Sequence, residues 1–337
     1  MTNLHGSAAV GRPALSLWDN ADRLKKILYR FRPYMRFCVR ALRRGVPLTA
    51  LARTQFPFYL PDAQAPPSVH LGLTSACNLR CVYCPNPALP FPRSFMSSEV
   101  LSAVVRDLRA LGVPRVVVGG GEPTLHPQFG AIARELRSAT RFLQIVTNGQ
   151  WRQPDIRKIL VTTPFDLIEV SVEAGGSEDY ETTRLGGSYS LLIDNLTQLR
   201  KQRDALGSAA WINIRLMIRP SMAAKAQEYV RFWSGYADTV MRQHIVHMPV
   251  TQYLDDVYVS EHTVTDAYPK CSLPFKDLPI SPTGEVHLCT ISGSLLGNVL
   301  ESSLKEMWLG DTMRRYRRGH RTREVADIPL CKGCKGC

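Results

Sequence analysis

Six short β-rich runs separated by helix-length segments set the architecture: VHLGLT (69–74), RVVVGG (115–120), FLQIVT (142–147), DLIEVSV (166–172), WINIRLMI (211–218) and HIVHMPV (244–250). Between them, SSEVLSAVVRDLRALG (97–112) and YSLLIDNLTQLRKQR (189–203) carry apolar residues at helical spacing. Such alternation predicts an α/β fold: a parallel sheet that right-handed crossovers curl into a partial (β/α)6 barrel of the TIM type. In a barrel of this kind chemistry collects at the C-terminal ends of the strands. The texture changes near Pro269. There LPISPTGEVHLC (278–289) reads as two short strands around a Pro-Thr-Gly-Glu turn, and SSLKEMWLGDTMRRYRRG (302–319) reads as helix. The chain is expected to divide into residues 1–67, a barrel over 68–265, and a small C-terminal β-hairpin and helix module over 266–337.

Residues 1–67 hold eleven Lys and Arg against three Asp and Glu, so +8 of the formal +13 charge comes from this stretch. The other 270 residues carry only +5, and bulk charge therefore gives no reason to expect a nucleic-acid partner. From Leu24, apolar residues recur at helical spacing among arginines and lysines, a basic amphipathic segment expected to kink at Pro33. Contact of residues 17–44 with an anionic membrane surface is one reading. The preferred one is a helix packed on the enzyme body with its arginines solvated. FPFYLPDAQAPPS (56–68) is proline-rich and reads as an extended strap. The N-terminal residues lack the order of a secretory signal, and no apolar run is long enough to span a bilayer, so the expected location is the cytoplasm.

In a reducing compartment nine cysteines point to metal or redox chemistry rather than disulfides. Eight fall into two sets: Cys77, Cys81 and Cys84, and Cys271, Cys289, Cys331, Cys334 and Cys337; Cys38 stands alone. Cys77-Asn-Leu-Arg-Cys81-Val-Tyr-Cys84 places three thiols on one loop just after the first predicted strand. Three ligands leave one iron of a 4Fe-4S cluster with an open position. A zinc knuckle is the competing reading, although no fourth Cys or His follows at compatible spacing. Gly119-Gly120-Gly121-Glu122-Pro123 ends the second strand; its glycines allow close approach of the backbone to a ligand, and a carboxylate or carbonyl there can accept from an ammonium. Cys271, Cys289, Cys331 and Cys334 come from three separated places and suit either one closed 4Fe-4S cluster or a zinc ion.

The CxxxCxxC loop with Tyr83 before its last cysteine, followed by Gly120-Gly121-Glu122-Pro123, resembles the radical S-adenosylmethionine (SAM) superfamily. The resemblance implies that Cys77, Cys81 and Cys84 hold a 4Fe-4S cluster, that SAM chelates its open iron, and that the pair generates a 5′-deoxyadenosyl radical. Tyr83, Gly120, Gly121, Glu122 and Pro123 are then expected near SAM. So are Thr147 and Asn148 after the third strand, Ser171 and Glu173 after the fourth, and Arg184, similar to an arginine that pairs with the SAM carboxylate. His126 is expected to be structural. The second set resembles the auxiliary-cluster "twitch" form of the SPASM extension, with Cys271, Cys289, Cys331 and Cys334 holding a second 4Fe-4S cluster. Twitch enzymes of aminocyclitol and aminoglycoside antibiotic biosynthesis are the most similar class. By that resemblance the chain oxidises a carbinol carbon of a sugar- or aminocyclitol-type small molecule to a ketone, with the auxiliary cluster taking the second electron and a flavodoxin- or ferredoxin-type protein as donor. An epimerase would need a spare thiol as hydrogen donor, and only Cys38 and Cys337 lie outside the two sets. Arg215, His244, His247, Tyr253, Asp255 and Asp256 are candidates for catalysis near the ends of the fifth and sixth strands. Peptide modification is the second enzymatic reading, and a basic binding protein with zinc centres the non-enzymatic one.

Overall fold

A computed structural model describes residues 35–55, 60–84, 86, 93–163, 165–173, 175–245, 271–290, 294–322, 324 and 331. The chain forms two compact units, residues 1–40 and 41–337. Of the first, residues 35–40 are described and are helical; the expected kink at Pro33 lies outside the described residues. Among the described residues no helix is long and apolar enough to cross a membrane.

The second unit is built on one mixed sheet. Strands β1 (Ser68–Thr74), β3 (Arg115–Gly120), β4 (Phe142–Thr147), β5 (Leu167–Glu173), β7 (Trp211–Ile218) and β8 (Thr239–His244) run parallel in that order. A two-residue ladder of β2 (Arg80–Cys81) with β6 (Arg184–Leu185) stands apart from it. Five of the six predicted barrel strands are found as expected. The sixth begins five residues before HIVHMPV: β8 is TVMRQH, and residues 246–250 lie outside the described ones. Its position at the sheet edge explains the discrepancy, because a strand paired on one side tolerates the polar, half-exposed sequence that apolar periodicity overlooks.

Alternation along the strands separates two environments. Leu71 and Leu73 of β1, Val116 and Val118 of β3, and their counterparts on β4, β5 and β7 belong to the buried core with the covering helices. The alternate positions are markedly polar: His70, Arg115, Gln144, Glu169, Asn213 and Arg215. In the Ser98–Leu111 helix, Ser97 accepts from the Val100 N–H at the start, and Gly112 closes the end in a left-handed conformation, φ 59°.

The C-terminal segment is laid on the same sheet. β9 (Asp277–Ile280) pairs parallel with β1, Ser68 opposite Asp277 and Leu71 opposite Ile280; β10 (Glu285–His287) and β11 (Leu295–Asn298) follow antiparallel. The predicted helix over 302–319 is two, Leu304–Leu309 and Asp311–Thr322, separated at Gly310. A capping box between Ser303 and Glu306 starts the first, and its Leu304 N–H donates to Asp107 of the Ser98–Leu111 helix at 2.8 Å. The strap crosses these helices: Ala63 O accepts from Trp308 Nε1 at 2.7 Å, and Asp62 pairs with Arg321 at 2.7 Å. Trp308 is fully buried and carries Arg317 on its face at 3.9 Å. Trp308→Phe is expected to cost about 1–2 kcal/mol, the lost hydrogen bond plus weakened stacking, read by anaerobic urea denaturation.

Candidate active site

The three-cysteine loop leaves the C-terminal end of β1 and is sewn to the glycine run at the end of β3. Gly121 N–H donates to Thr74 O at 2.7 Å and Glu122 N–H to Ala76 O at 2.8 Å. A Cβ at Gly120, where φ is +107°, would stand 2.7 Å from Thr74 O, and one at Gly121 would collide with Ala76 O. The backbone at the root of the cysteine loop therefore lies close against both glycines, on the side where a Cβ would stand.

Glu122, expected to meet SAM, is buried, and its carboxylate is held by the protein itself. Oε1 accepts from Thr124 Oγ1 at 2.6 Å, Thr147 Oγ1 at 2.8 Å and Thr124 N–H at 3.2 Å; Oε2 accepts from Asn148 N–H at 2.8 Å. Burial pushes the carboxyl above its usual range, against the pull of these donors. Pro123 starts the short turn of helix that presents Thr124. Asn148 reaches the cysteine loop, donating from Nδ2 to Asn78 Oδ1 at 2.7 Å and to Cys77 Sγ at 3.7 Å. His126 is structural as expected, its ring held between Met96 O and the Gln128 N–H.

The β2–β6 ladder, which no local pattern announced, sets Cys81 directly opposite Arg184. Arg184 is 3% exposed; its Nε donates to Glu173 Oε1 at 3.2 Å, and its guanidinium lies 5.7 Å from the Tyr83 ring centroid. Tyr83 OH donates to the same Glu173 oxygen at 2.6 Å. Burial opposes the arginine's charge, but Tyr83, Cys81 and Glu173 hold it above the ordinary guanidinium range. Glu173 Oε2 is buried with no hydrogen-bond partner among the described residues. An acceptor orphaned at a strand end beside the cysteine loop suits a hydroxyl or ammonium donor of a bound molecule, as SAM would present.

The thiols suit a cluster. Burial pushes all three above the usual range, Cys81 to about 11, and Cys77 and Cys81 also feel the charge of neighbours in the set. Metal binding releases such protons. The Leu79 N–H lies 3.4 Å from Cys77 Sγ and with Asn148 supplies donors to that sulfur. Among the described residues no three Cys, His, Asp or Glu side chains converge tightly enough for a single ion. A 4Fe-4S cluster takes its cysteines at separate irons and accepts a looser grouping.

Deeper in the barrel, Ser171 lies opposite Arg215 in the β5–β7 register. Arg215, expected near catalysis, donates from Nε to Glu169 Oε1 at 2.6 Å and from NH1 to Gln243 Oε1 at 2.7 Å. Its partner Glu169 went unremarked in the sequence, although a carboxylate inside the apolar LIEVSV run is itself a signal; Oε2 also accepts from Asn213 at 3.0 Å. His244 ends β8 and is exposed; His247, Tyr253, Asp255 and Asp256 lie outside the described residues.

Of the second set, Cys271, Cys289 and Cys331 are described and half-buried; Cys334 and Cys337 are not among the described residues. His320 links two of the three. Its Nδ1 lies 3.4 Å from the Cys271 N–H nitrogen and its Nε2 3.5 Å from Cys331 Sγ. Burial pushes the imidazole below its usual range. Thiols drawn from the turn that precedes β9, the loop that follows β10 and the C-terminal segment suit an auxiliary cluster.

Residues 71–212 match the family described as the Radical SAM superfamily, and residues 271–337 match SPASM, an iron–sulfur cluster-binding domain. Mycofactocin maturase MftC of Mycobacterium tuberculosis (strain CDC 1551 / Oshkosh) is 25% identical over 194 residues, 58% of this chain and 48% of that protein. The chain thus spans about half the length of the curated relatives it matches. Among solved structures, BtrN in complex with AdoMet and 2-DOIA gives a TM-score of 0.55 at 14% identity over 81% of this chain and 94% of that one. Streptococcus suis SuiB bound to precursor peptide SuiA gives 0.56 at 13% identity over 100% and 80%. These likenesses establish the fold.

Proposed function

The chain belongs to the radical SAM superfamily, and from that premise we propose that it oxidises a carbinol carbon of a sugar- or aminocyclitol-type small molecule to a ketone. Its cofactors are SAM, a 4Fe-4S cluster and auxiliary iron–sulfur; in this reading the auxiliary complement is one cluster on Cys271, Cys289, Cys331 and Cys334. When bound, the cluster and SAM would supply the radical chemistry of hydrogen-atom abstraction from carbon.

The protein's own part is positional. Cys77, Cys81 and Cys84 would hold the first cluster on a loop that the glycine run and Asn148 anchor. The orphaned Glu173 oxygen and Arg184 would orient SAM beside Cys81. Arg215 is a hydrogen-bond donor held by Glu169, with about a third of its side chain accessible; it would grip the substrate oxygen rather than act as a base. What carries the oxidative reading is the second thiol set: its hairpin is laid on the barrel's own sheet and His320 bridges Cys271 and Cys331, which would offer a route for the second electron. Among the described residues no cysteine lies on one of the six parallel strands, which favours oxidation over hydrogen-atom return.

Peptide modification is the competing reading, favoured by the MftC relative and by SuiB, whose peptide complex is similar over the whole chain. The test is anaerobic reconstitution, expected to give about eight irons per chain, two 4Fe-4S clusters. Reduced enzyme, SAM and a panel of aminocyclitol alcohols in deuterated water should then yield a ketone with one 5′-deoxyadenosine per turnover. Recovered alcohol carrying deuterium at the reacting carbon would mean epimerisation. Turnover with peptides alone would establish the competing reading.

A further inference from the structure

His320 sits where no cofactor motif accounts for it. It is 1% exposed, on the buried face that Met313 and Arg317 share in the Asp311–Thr322 helix. One ring nitrogen faces the backbone of Cys271, the other the sulfur of Cys331. The two contacts together assign the proton. A backbone N–H can only donate, so Nδ1 is the acceptor and the neutral ring carries its hydrogen on Nε2, pointed at Cys331 Sγ. The ring is also fixed in place. Arg317 donates from Nε to Pro274 O at 2.9 Å while stacked on Trp308, and Arg321 pairs with Asp62 and lies 4.9 Å from the Phe275 ring centroid. The helix is thereby pinned to the turn that carries Cys271.

We propose that His320 is a positioning residue of the auxiliary cluster, whose Nε2–H donates to the Cys331 sulfur and raises the cluster's reduction potential. This rests on the reading that Cys331 is a ligand of that cluster. A donor to a ligating sulfur withdraws electron density from it and so stabilises the reduced, more negative state. A cluster that must accept the second electron of an alcohol oxidation benefits from that bias. The Cys271 contact adds a mechanical function, since one imidazole ties together two ligand positions 60 residues apart in sequence.

The test is a redox titration of reconstituted enzyme followed by EPR, comparing His320→Leu and His320→Gln with the wild type. His320→Leu keeps the volume and loses the donor. Its auxiliary cluster should fall in potential by at least a tenfold change in the oxidised-to-reduced ratio, about 59 mV for one electron, with the SAM-binding cluster unmoved. His320→Gln offers an amide oxygen to Cys271 and an N–H to Cys331, and should recover most of the shift. A His320→Leu protein loaded with about eight irons at wild-type potential overturns the proposal. Should the variants not fold, wild-type enzyme labelled with 15N-histidine answers instead: pulsed EPR of the reduced auxiliary cluster should show one weak histidine nitrogen coupling. No coupling, or the strong coupling of an iron-bound imidazole, overturns it. Retention of the full auxiliary cluster by Cys331→Ala, or loading of only about four irons in the wild type, removes the ligand reading itself and the proposal with it.

Discussion

Gly121→Ala is expected to lower 5′-deoxyadenosine formation by at least about 100-fold while leaving the auxiliary irons loaded. The new methyl group would stand only 2.1 Å from the Ala76 carbonyl oxygen. That oxygen cannot simply turn aside, because it accepts from Glu122 N–H at 2.8 Å, and the neighbouring Gly121 N–H donates to Thr74 O at 2.7 Å. Relief requires breaking both bonds and moving residues 74–76, at roughly 1–3 kcal/mol of overpacking strain and about 1 kcal/mol per bond. Cys77 is the next residue. A displacement of even about 1 Å at the root of the loop carries the thiols away from the geometry SAM cleavage needs. The C-terminal set has separate anchors in Trp308, Arg317 and His320, so its iron should persist. Iron content and deoxyadenosine are the two readouts. A variant retaining more than half of the wild-type rate would show that the loop does not depend on this seam.

How much of this could be read from residues alone follows from the range of the interaction involved. The cysteine loop, the glycine run and five barrel strands are local patterns, and each is found where its motif lies. The helix over Ser98–Leu111 is likewise legible, because Ser97 and Gly112 mark its ends in the sequence. What escaped is long-range. Nothing in DLPI announces that it will pair in parallel with SVHL some 200 residues earlier. Nothing in Arg80–Cys81 announces a ladder with Arg184–Leu185, yet that ladder decides which arginine faces Cys81. No apolar run in TVMRQ announces the start of β8, because an edge strand need not be apolar. Glu169 and His320 are hidden for a different reason: a carboxylate within the apolar LIEVSV run is a visible anomaly and a histidine among the arginines of RRYRRGHR is not, but in both cases the partner, Arg215 or Cys331, is supplied only by the fold.

The same distinction separates two roles for Glu122, and its variants decide between them. Glu122→Ala is expected to destabilise the protein by about 3–6 kcal/mol, a large share of what a domain of this kind possesses. The carboxylate accepts four hydrogen bonds in a site closed to water, and truncation orphans two backbone N–H groups, of Thr124 and Asn148, along with the hydroxyls of Thr124 and Thr147. At roughly 1–3 kcal/mol for each of the two backbone N–H groups, which cannot turn away, plus about 1 kcal/mol for hydroxyls free to rotate to another acceptor, the sum spans that range. Glu122→Gln should cost less, about 1–3 kcal/mol. Its amide oxygen can serve the three donors on the Oε1 side, and only the Asn148 N–H meets an opposing NH2. Anaerobic urea denaturation without SAM therefore orders the proteins wild type, Gln, Ala. If Glu122 acted chiefly as a ligand for the SAM amino group, both variants would unfold at the wild-type midpoint and differ only in SAM affinity. If the carboxylate is the clamp joining the ends of β3 and β4, stability falls first, and SAM binding falls with it because Asn148, released from Oε2, no longer holds the Cys77 loop.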